Sequence, residues 1–344
     1  VTGETSGNVQ AHGAPHELPP RPWHEFWALT LAATGIVFGD TGTSPLYCYK
    51  GVFHELGETP EMDDIKGVLC MIFWTLTWTV CVKYLIVVMR VSHRGEGGTI
   101  ALMEVVLHAE TERRRNLAEA RGALRRQNDT SGVLDEVQAL LEEETPDGTV
   151  VGGSPGVCGG AVATTLGMLG CAFLIGDGVI TPSISVLSAL DLLPKDVAGQ
   201  FWRACIACIV LVCLFSVQRF GTKMLGEAAG PLMILWFVVL GFLGIQNMLK
   251  EPWIASEVVS ALHPCWLVQF WTTGRFNGRL AWRAMAGVVL CITGAEALYA
   301  DMGHFGIGPI STAWFLLAYP CLVLQYMGQS AVLILDASKI DAPF

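Results

Sequence analysis

The segment FGDTGTSPLY places an acid among hydroxyls, glycines and a proline inside an apolar run. The acid is Asp40, and the run from Phe26 to Phe53 is long enough to cross a bilayer. A carboxylate at membrane depth costs roughly 2.5–3.5 kcal/mol and usually marks an ion path. The glycines and Pro45 interrupt helical hydrogen bonding, which is tolerated only beside protein or a water-filled cavity. The segment predicts a broken membrane helix that binds a cation; a kinked structural helix with a buried, paired aspartate is the alternative.

Two further apolar segments carry polar side chains in matching patterns. Near the end of the chain, Thr293 and Glu296 are three residues apart beside a glycine, which places both on one helical face. Earlier, Thr181 and Ser185 also share a face, one turn after Asp177. The sequence GDGVITP in that earlier segment predicts a helix break from Gly176 to Pro182. The first segment and the segment of Thr293 and Glu296, the sixth, are both interrupted by glycine and occupy the positions expected to be discontinuous in inverted five-helix repeats. This pair predicts an ion site at the membrane midplane.

These oxygen-rich groups suit a hard, monovalent, weakly hydrated cation such as potassium. The acids that can carry a co-transported proton are Asp40, Asp177 and Glu296, and the residues do not show which of them does so. Cys205 and Cys208 form a CxxC pair, but a second pair or a nearby histidine is lacking, so we expect no metal site beyond the potassium ion. No nucleophile–base arrangement emerges either. We therefore expect neither an enzyme nor a bound cofactor.

The composition indicates an all-α integral membrane protein. Hydrophobic residues make up 52% of the chain and charged residues 15%, against about 25% charged in soluble domains. Seven long apolar segments cover residues 27–49, 68–90, 158–190, 201–217, 229–249, 283–303 and 311–335. The arginine cluster between the second and third segments is interleaved with acids and has no aromatic residues, so we expect no nucleic-acid partner. The lipid bilayer is the expected environment.

Loop charges predict the orientation. The polar insert carries Arg113, Arg126 and several arginines between them, whereas the loop after the first segment is acidic. We therefore expect a cytoplasmic N-terminal segment (1–26), membrane helices 1–2 (27–90), a cytoplasmic insert with an amphipathic helix (91–157), helices 3–5 (158–249), an extracellular loop (250–282), helices 6–7 (283–335) and a truncated end (336–344). Arg275 and Arg283 would then lie outside, against the rule.

With these motifs, the chain resembles the KUP/HAK/KT family of potassium uptake permeases. The matching blocks, in family order across residues 27–335, are VFGDTGTSPLY, RGEGGTIAL, GDGVITPSISVLSA, QRFGTKMLGEAAGPLMILWF, TGAEALYADMGHFGIGPISTAWF and YMGQSAVLI. The resemblance implies a LeuT-like inverted-repeat transporter of the APC superfamily, with broken helices 1 and 6. It also implies that these are the first seven transmembrane helices of a longer protein, so that the site is incomplete without the later helices.

The resemblance assigns roles to individual residues. Asp40 and Tyr47 match the potassium-site residues of the first helix. The third-helix hydroxyls are Thr181 and Ser185, and the sixth-helix pair is Thr293 and Glu296. KMLGEAAG and residues 110–150 depart from the family pattern.

The expected function is import of potassium across the plasma membrane as a K⁺/H⁺ symporter, with the N-terminus in the cytoplasm. The rivals are a channel-like or uniport pathway of the same fold and a potassium sensor that signals through its cytoplasmic loops. A homodimer is an open option for its assembly.

Overall fold

A computed structural model describes residues 22–57, 59–91, 96–127, 155–191, 199–218 and 222–341. Every regular element in these ranges is a helix, which confirms the predicted all-α architecture. The predicted N-terminal segment up to residue 21, the insert beyond residue 127 and the start of the glycine-rich turn at Gly95 lie outside the described ranges.

The helices are named here in chain order. The α-helices are α1 Trp23–Ile36, α2 Gly39–Thr43, α3 Cys48–Leu56, α4 Met62–Leu76, α5 Thr99–Gln127, α6 Pro155–Asp191, α7 Gln200–Gln218, α8 Thr222–Met248, α9 Pro252–Ser260, α10 Cys265–Thr272, α11 Arg279–Val289, α12 Ala297–Ala300, α13 Met302–Phe305, α14 Ile307–Ala313 and α15 Tyr319–Leu335. Tighter 3₁₀ turns cover Ser44–Leu46, Val88–Arg90, Leu290–Ile292 and Ala337–Asp341, and wider π-helical stretches cover Thr77–Val87 and Trp314–Ala318.

Within the described ranges, 5 helical stretches are long and apolar enough to cross a membrane. They are Met62–Arg90, Ala161–Leu190, Ala228–Met248, Arg279–Ala300 and Ile307–Leu335. The first predicted segment is divided among α1, α2 and α3, so it contains no single helix of that length. The apolar part of α7, Phe201–Ser216, is shorter than the other stretches.

The break predicted between Gly176 and Pro182 is wrong. Helix α6 runs without interruption from Pro155 to Asp191, with Pro182 inside it. A proline removes one backbone donor, and its ring crowds the carbonyl four residues earlier. That residue is Gly178, which adds no side chain to the crowding, and membrane helices tolerate one lost bond where nearby groups satisfy the backbone. The polar residues of this segment therefore lie on one continuous helix.

Helix α8 holds α1 in place through a contact between two backbones. A Cβ atom on Gly35 would lie 2.5 Å from the Gly230 nitrogen, and a Cβ on Gly230 would lie 2.5 Å from the Leu31 carbonyl oxygen. Only glycine allows this approach, as in other membrane helix pairs that meet at small residues. Helix α8 also packs along α15. The start of the first segment is therefore packed closely against α8.

Ion pairs join the acidic loop after the first segment to the loop before α11. The Arg275 guanidinium lies 2.8 Å from the Glu61 carboxylate and also donates to the Thr59 carbonyl at 2.7 Å. Arg283 lies 3.5 Å from Glu55. Both loops are therefore at the same end of the helix bundle. Arg275 and Arg283, which the charge rule would place on the cytoplasmic side, pair with acidic side chains at this end of the bundle.

A buried lysine at the start of α4 is paired with an acid on α9. The side chain of Lys66 is 5% exposed, and its ammonium pairs with the Glu257 carboxylate. The same ammonium lies 4.6 Å from the centre of the Trp266 ring. Pairing of this kind offsets the cost of removing an ammonium from water.

We expect Glu257→Gln to destabilise the protein more than Lys66→Met does. The glutamine variant leaves a buried, uncompensated ammonium, which costs about 3–5 kcal/mol, whereas the methionine variant removes the charge altogether. Thermal unfolding in detergent measures the order of the two variants. The exposed Glu251→Gln serves as the control and should leave the melting temperature unchanged. A larger loss in Lys66→Met than in Glu257→Gln contradicts this account.

Candidate ion site

The first apolar segment is irregular where its polar residues lie. Helix α1 ends at Ile36, and α2, a 3₁₀ turn and α3 follow with changes of direction at Phe38 and Tyr47. Carbonyl groups of this stretch accept hydrogen bonds from side chains of other helices. The Trp236 indole donates to the Gly42 carbonyl and the Gln329 amide to the Pro45 carbonyl, both at 2.8 Å. These bonds hold an irregular backbone inside the bundle.

The sixth segment is also irregular where its polar residues lie. A 3₁₀ turn ends at Ile292, Thr293 has ψ 140°, and α12 begins only at Ala297. Gly294 has φ +79°, a conformation that favours glycine. The Thr41 hydroxyl donates to the Thr293 carbonyl at 3.0 Å, which joins the two irregular stretches.

The Asp40 carboxylate lies directly against the glycine of this second stretch. A Cβ atom on Gly294 would lie 2.7 Å from Asp40 Oδ2. The other carboxylate oxygen, Oδ1, is buried, and no group in the described part of the chain donates to it. A buried carboxylate oxygen without a donor is an oxygen that a cation can satisfy.

A group of three hydroxyls lies beside this carboxylate. The Tyr47 and Thr293 hydroxyls are 3.2 Å apart, and Ser44 Oγ lies 3.3 Å from Tyr47 and 3.4 Å from Thr293. Thr293 donates its proton to the Leu290 carbonyl at 2.9 Å, so its oxygen lone pairs face the group. Two of these hydroxyls were predicted site residues; Ser44 was not.

Helix α6 supplies the third side. Thr181 donates to Asp177 Oδ1 at 2.7 Å, and the Ser185 hydroxyl lies 3.2 Å from the Thr43 hydroxyl. Asp177 is in contact with the Glu296 carboxyl, and both acids lie close enough to Asp40 to repel its charge. The structure therefore brings the three predicted segments together. The roles of their residues as potassium ligands stay a prediction.

Two cavities, each of about 330 Å³, flank this meeting point. The first, which we call cavity one, is lined by Tyr47, Thr181 and Leu290 among others. Cavity two is lined by Lys83, Tyr84 and Glu296 among others. Phe173, Asp177 and Thr293 line both, so the cavities adjoin at these three side chains, which we call the partition. Each cavity has room for several waters.

Four polar residues near the site were not predicted. Thr41, Thr43 and Ser44 belong to the same turn as Asp40, and their contacts depend on the fold of distant segments. Lys83 had a clear signal in the sequence, because it is a charged residue inside an apolar segment that otherwise contains none between residues 67 and 89. Such a residue is by default a candidate for a functional site.

We expect Gly294→Ala to destabilise the protein more than Gly278→Ala. Both glycines have positive φ, at +79° and +61°, so an alanine at either position costs about 1–2 kcal/mol in backbone strain. Only the alanine at 294 also collides with the Asp40 carboxylate, because no group in the described ranges lies within 4 Å of a Cβ at 278. Thermal unfolding in detergent compares the melting temperatures of the two variants. Equal decreases would show that the close approach to Asp40 does not add to the destabilisation.

The protein has apolar helices long enough to span a membrane, and carboxyl and hydroxyl oxygens lie close together between two cavities inside it. These features define an integral membrane protein with an interior suited to ions. Residues 27–344 match the model of a family described as the K⁺ potassium transporter integral membrane domain. The chain belongs to this family, which confirms the resemblance seen in the sequence.

Relatives with curated descriptions agree with this assignment. A "Probable potassium transport system protein Kup" from Pseudomonas fluorescens is 38% identical over 318 residues, covering 92% of this chain and 42% of the relative. Proteins with the same description from Pseudomonas syringae pv. tomato and Bdellovibrio bacteriovorus are 36% and 37% identical, covering 99% and 92% of this chain and 45% and 40% of the relatives. The chain thus spans less than half the length of these relatives. No solved structure matches the chain significantly.

Proposed function

We propose that this chain forms part of a secondary transporter that imports potassium across the plasma membrane. The observation that carries the proposal is the meeting of three segments near Asp40 and the hydroxyls of Ser44, Tyr47 and Thr293. Asp40 Oδ1 is buried there, and none of the described groups donates to it. Carboxylate, hydroxyl and carbonyl oxygens can replace the hydration shell of potassium and still release it. Family membership and the descriptions of the relatives support this substrate.

The proposed potassium ligands are the six residues predicted from the sequence. Asp40 supplies charge, and Tyr47 and Thr293 supply oxygens on the side of the 3₁₀ turn. Thr181 and Ser185 supply hydroxyls from α6, and Glu296 supplies a second carboxylate from the sixth segment. Asp40 and Ser185 line neither cavity, so we place the ion between them and the partition.

We further propose that a proton accompanies the potassium ion. One cation moving inward gains about 2.3 kcal/mol per 100 mV, and tenfold accumulation costs about 1.4 kcal/mol. A uniport at −100 mV therefore sustains less than about a hundredfold gradient, and one co-imported proton raises this limit to a few thousandfold. Asp177 and Glu296 line cavity two together, which favours this pair as the proton site.

The two cavities support an alternating-access mechanism on a LeuT-like inverted-repeat fold. In this proposal the first and sixth segments are the discontinuous helices, and cavity one and cavity two lead to opposite sides of the membrane. The two cavities adjoin at the partition of Phe173, Asp177 and Thr293.

The proposed orientation places the N-terminus and the arginine-bearing insert in the cytoplasm and the acidic loop outside. The Arg275–Glu61 and Arg283–Glu55 pairs agree with a common side for the two loops that this orientation places outside. The partners that follow are the potassium ion, the proton and the lipid bilayer; a homodimer stays a prediction.

The sequon at Asn128 tests the orientation, because a cytoplasmic insert never meets the glycosylation machinery. When the chain is made in a eukaryotic cell, we expect its electrophoretic mobility to be the same with and without glycosidase. A sequon engineered between Gly57 and Glu61 provides the positive control and should be modified if it lies far enough from the membrane. A glycan on Asn128 would invert the proposed orientation.

Uptake is tested in cells that lack their own potassium uptake systems. Because the relatives are longer, the chain is continued at its C-terminal end by the part of the Pseudomonas fluorescens relative that lies beyond the match; we call this protein the extended chain. We expect the extended chain to restore growth at low potassium and to accumulate radiolabelled rubidium, with the chain alone as the comparison. Surface expression without rubidium uptake would favour the sensor alternative.

A further inference from the structure

Lys83 is a positive charge in a cavity that the proposed function assigns to a cation. It lies in the π-helical stretch Thr77–Val87 and lines cavity two together with Asp177 and Glu296. Its ammonium lies 5.1 Å from the centre of the Tyr84 ring, and Tyr84 lines the same cavity. The lysine is therefore a constituent of the cavity wall, and the potassium site predicted from the sequence gives it no role.

The charges around the partition show what this lysine does. Among the described residues that line the two cavities, the charged ones are Lys83, Asp177 and Glu296. Together with Asp40 nearby, the described residues around the partition supply three carboxyl groups and one ammonium. The lysine thus offsets part of the negative charge that these carboxyl groups carry when ionised.

A fixed ammonium also affects the release of the ion. It attracts the carboxylates of Asp177 and Glu296 and repels a potassium ion that enters the same cavity. Without a lysine, the departing ion would leave more uncompensated negative charge at membrane depth, where charge is costly. A tethered cation lowers this cost, so it weakens binding and speeds release.

We propose that Lys83 is the tethered counter-cation of Asp177 and Glu296, and that its charge sets the affinity for potassium and the rate of its release through cavity two. The proposal rests on the proposed function and takes cavity two as the exit path. Lys83 acts through the carboxylates and is a positioning residue of the transport reaction.

The test measures equilibrium binding of radiolabelled rubidium to the purified extended chain, and rubidium uptake after reconstitution. We expect Lys83→Met to bind rubidium about tenfold more tightly and to transport it more slowly, because the site then carries one more uncompensated negative charge. Lys83→Arg keeps the charge and should stay close to wild type in both measurements. Lys250→Met, at an exposed lysine away from both cavities, serves as the matched control.

A double variant distinguishes an electrostatic role of Lys83 from a purely structural one. Lys83→Met combined with Glu296→Gln restores the sum of charges, so its rubidium affinity should return toward the wild-type value, whereas Glu296→Gln alone should weaken binding. This rescue also shows that the methionine variant is folded. Wild-type affinity and turnover in Lys83→Met, or a change in Lys83→Arg as large as in Lys83→Met, would overturn the proposal. If the wild-type extended chain neither binds nor carries rubidium, the proposed function itself fails.

Discussion

Asp40→Asn in the extended chain is expected to lower rubidium uptake at least about tenfold at a matched amount of protein in the membrane. The amide keeps the size of the side chain, but it removes the negative charge and presents donor hydrogens. A tenfold loss corresponds to about 1.4 kcal/mol of lost interaction with the ion. We expect no described neighbour to replace the lost interaction with the ion. Asp40 Oδ1 is buried, and no described group donates to it.

The control for Asp40→Asn is Asp63→Asn. Asp63 is an exposed acid at the start of α4, so its substitution removes the same charge outside the site. Rubidium uptake in Asp63→Asn should equal that of the wild type. Wild-type uptake in Asp40→Asn at an equal surface level would remove Asp40 from the proposed site.

The polar residues of the candidate site were readable from the sequence because such residues are costly in a membrane. Asp40 and Glu296, each beside glycine and hydroxyl residues, have no role in an ordinary lipid-facing helix. Their spacing also indicated which side chains share a face. The contact between Gly294 and Asp40 lay beyond this reasoning, since it depends on how two segments far apart in sequence pack.

Other features could not be predicted because neighbouring contacts decide them. Pro182 reads as a break in isolation, yet α6 accommodates it within a continuous helix. Arg275 reads as a violation of the charge rule, yet it pairs with Glu61, which is 214 positions away. Lys83 is a different case. Its charge was visible in the sequence, but only the fold shows that it lines the same cavity as Asp177 and Glu296.

Glu296→Gln in the extended chain is expected to abolish proton coupling. Glutamine keeps the size and hydrogen-bonding capacity of the side chain, but it cannot carry a proton into cavity two. At −100 mV, losing one coupled proton removes about 2.3 kcal/mol of driving force, which lowers the accumulation limit about fiftyfold. Proteoliposomes with an imposed potential and a known rubidium concentration measure this limit directly.

The pH dependence distinguishes loss of coupling from a general loss of activity. Wild-type uptake should rise as the external pH falls, since a higher proton concentration drives the symport. The residual uptake of Glu296→Gln should be independent of external pH. Asp177→Asn is the matched comparison, because Asp177 contacts Glu296 and lines both cavities. A flat profile in Asp177→Asn with a normal profile in Glu296→Gln would move the proton to Asp177. Normal profiles and an unchanged accumulation limit in both variants would show that neither acid carries it.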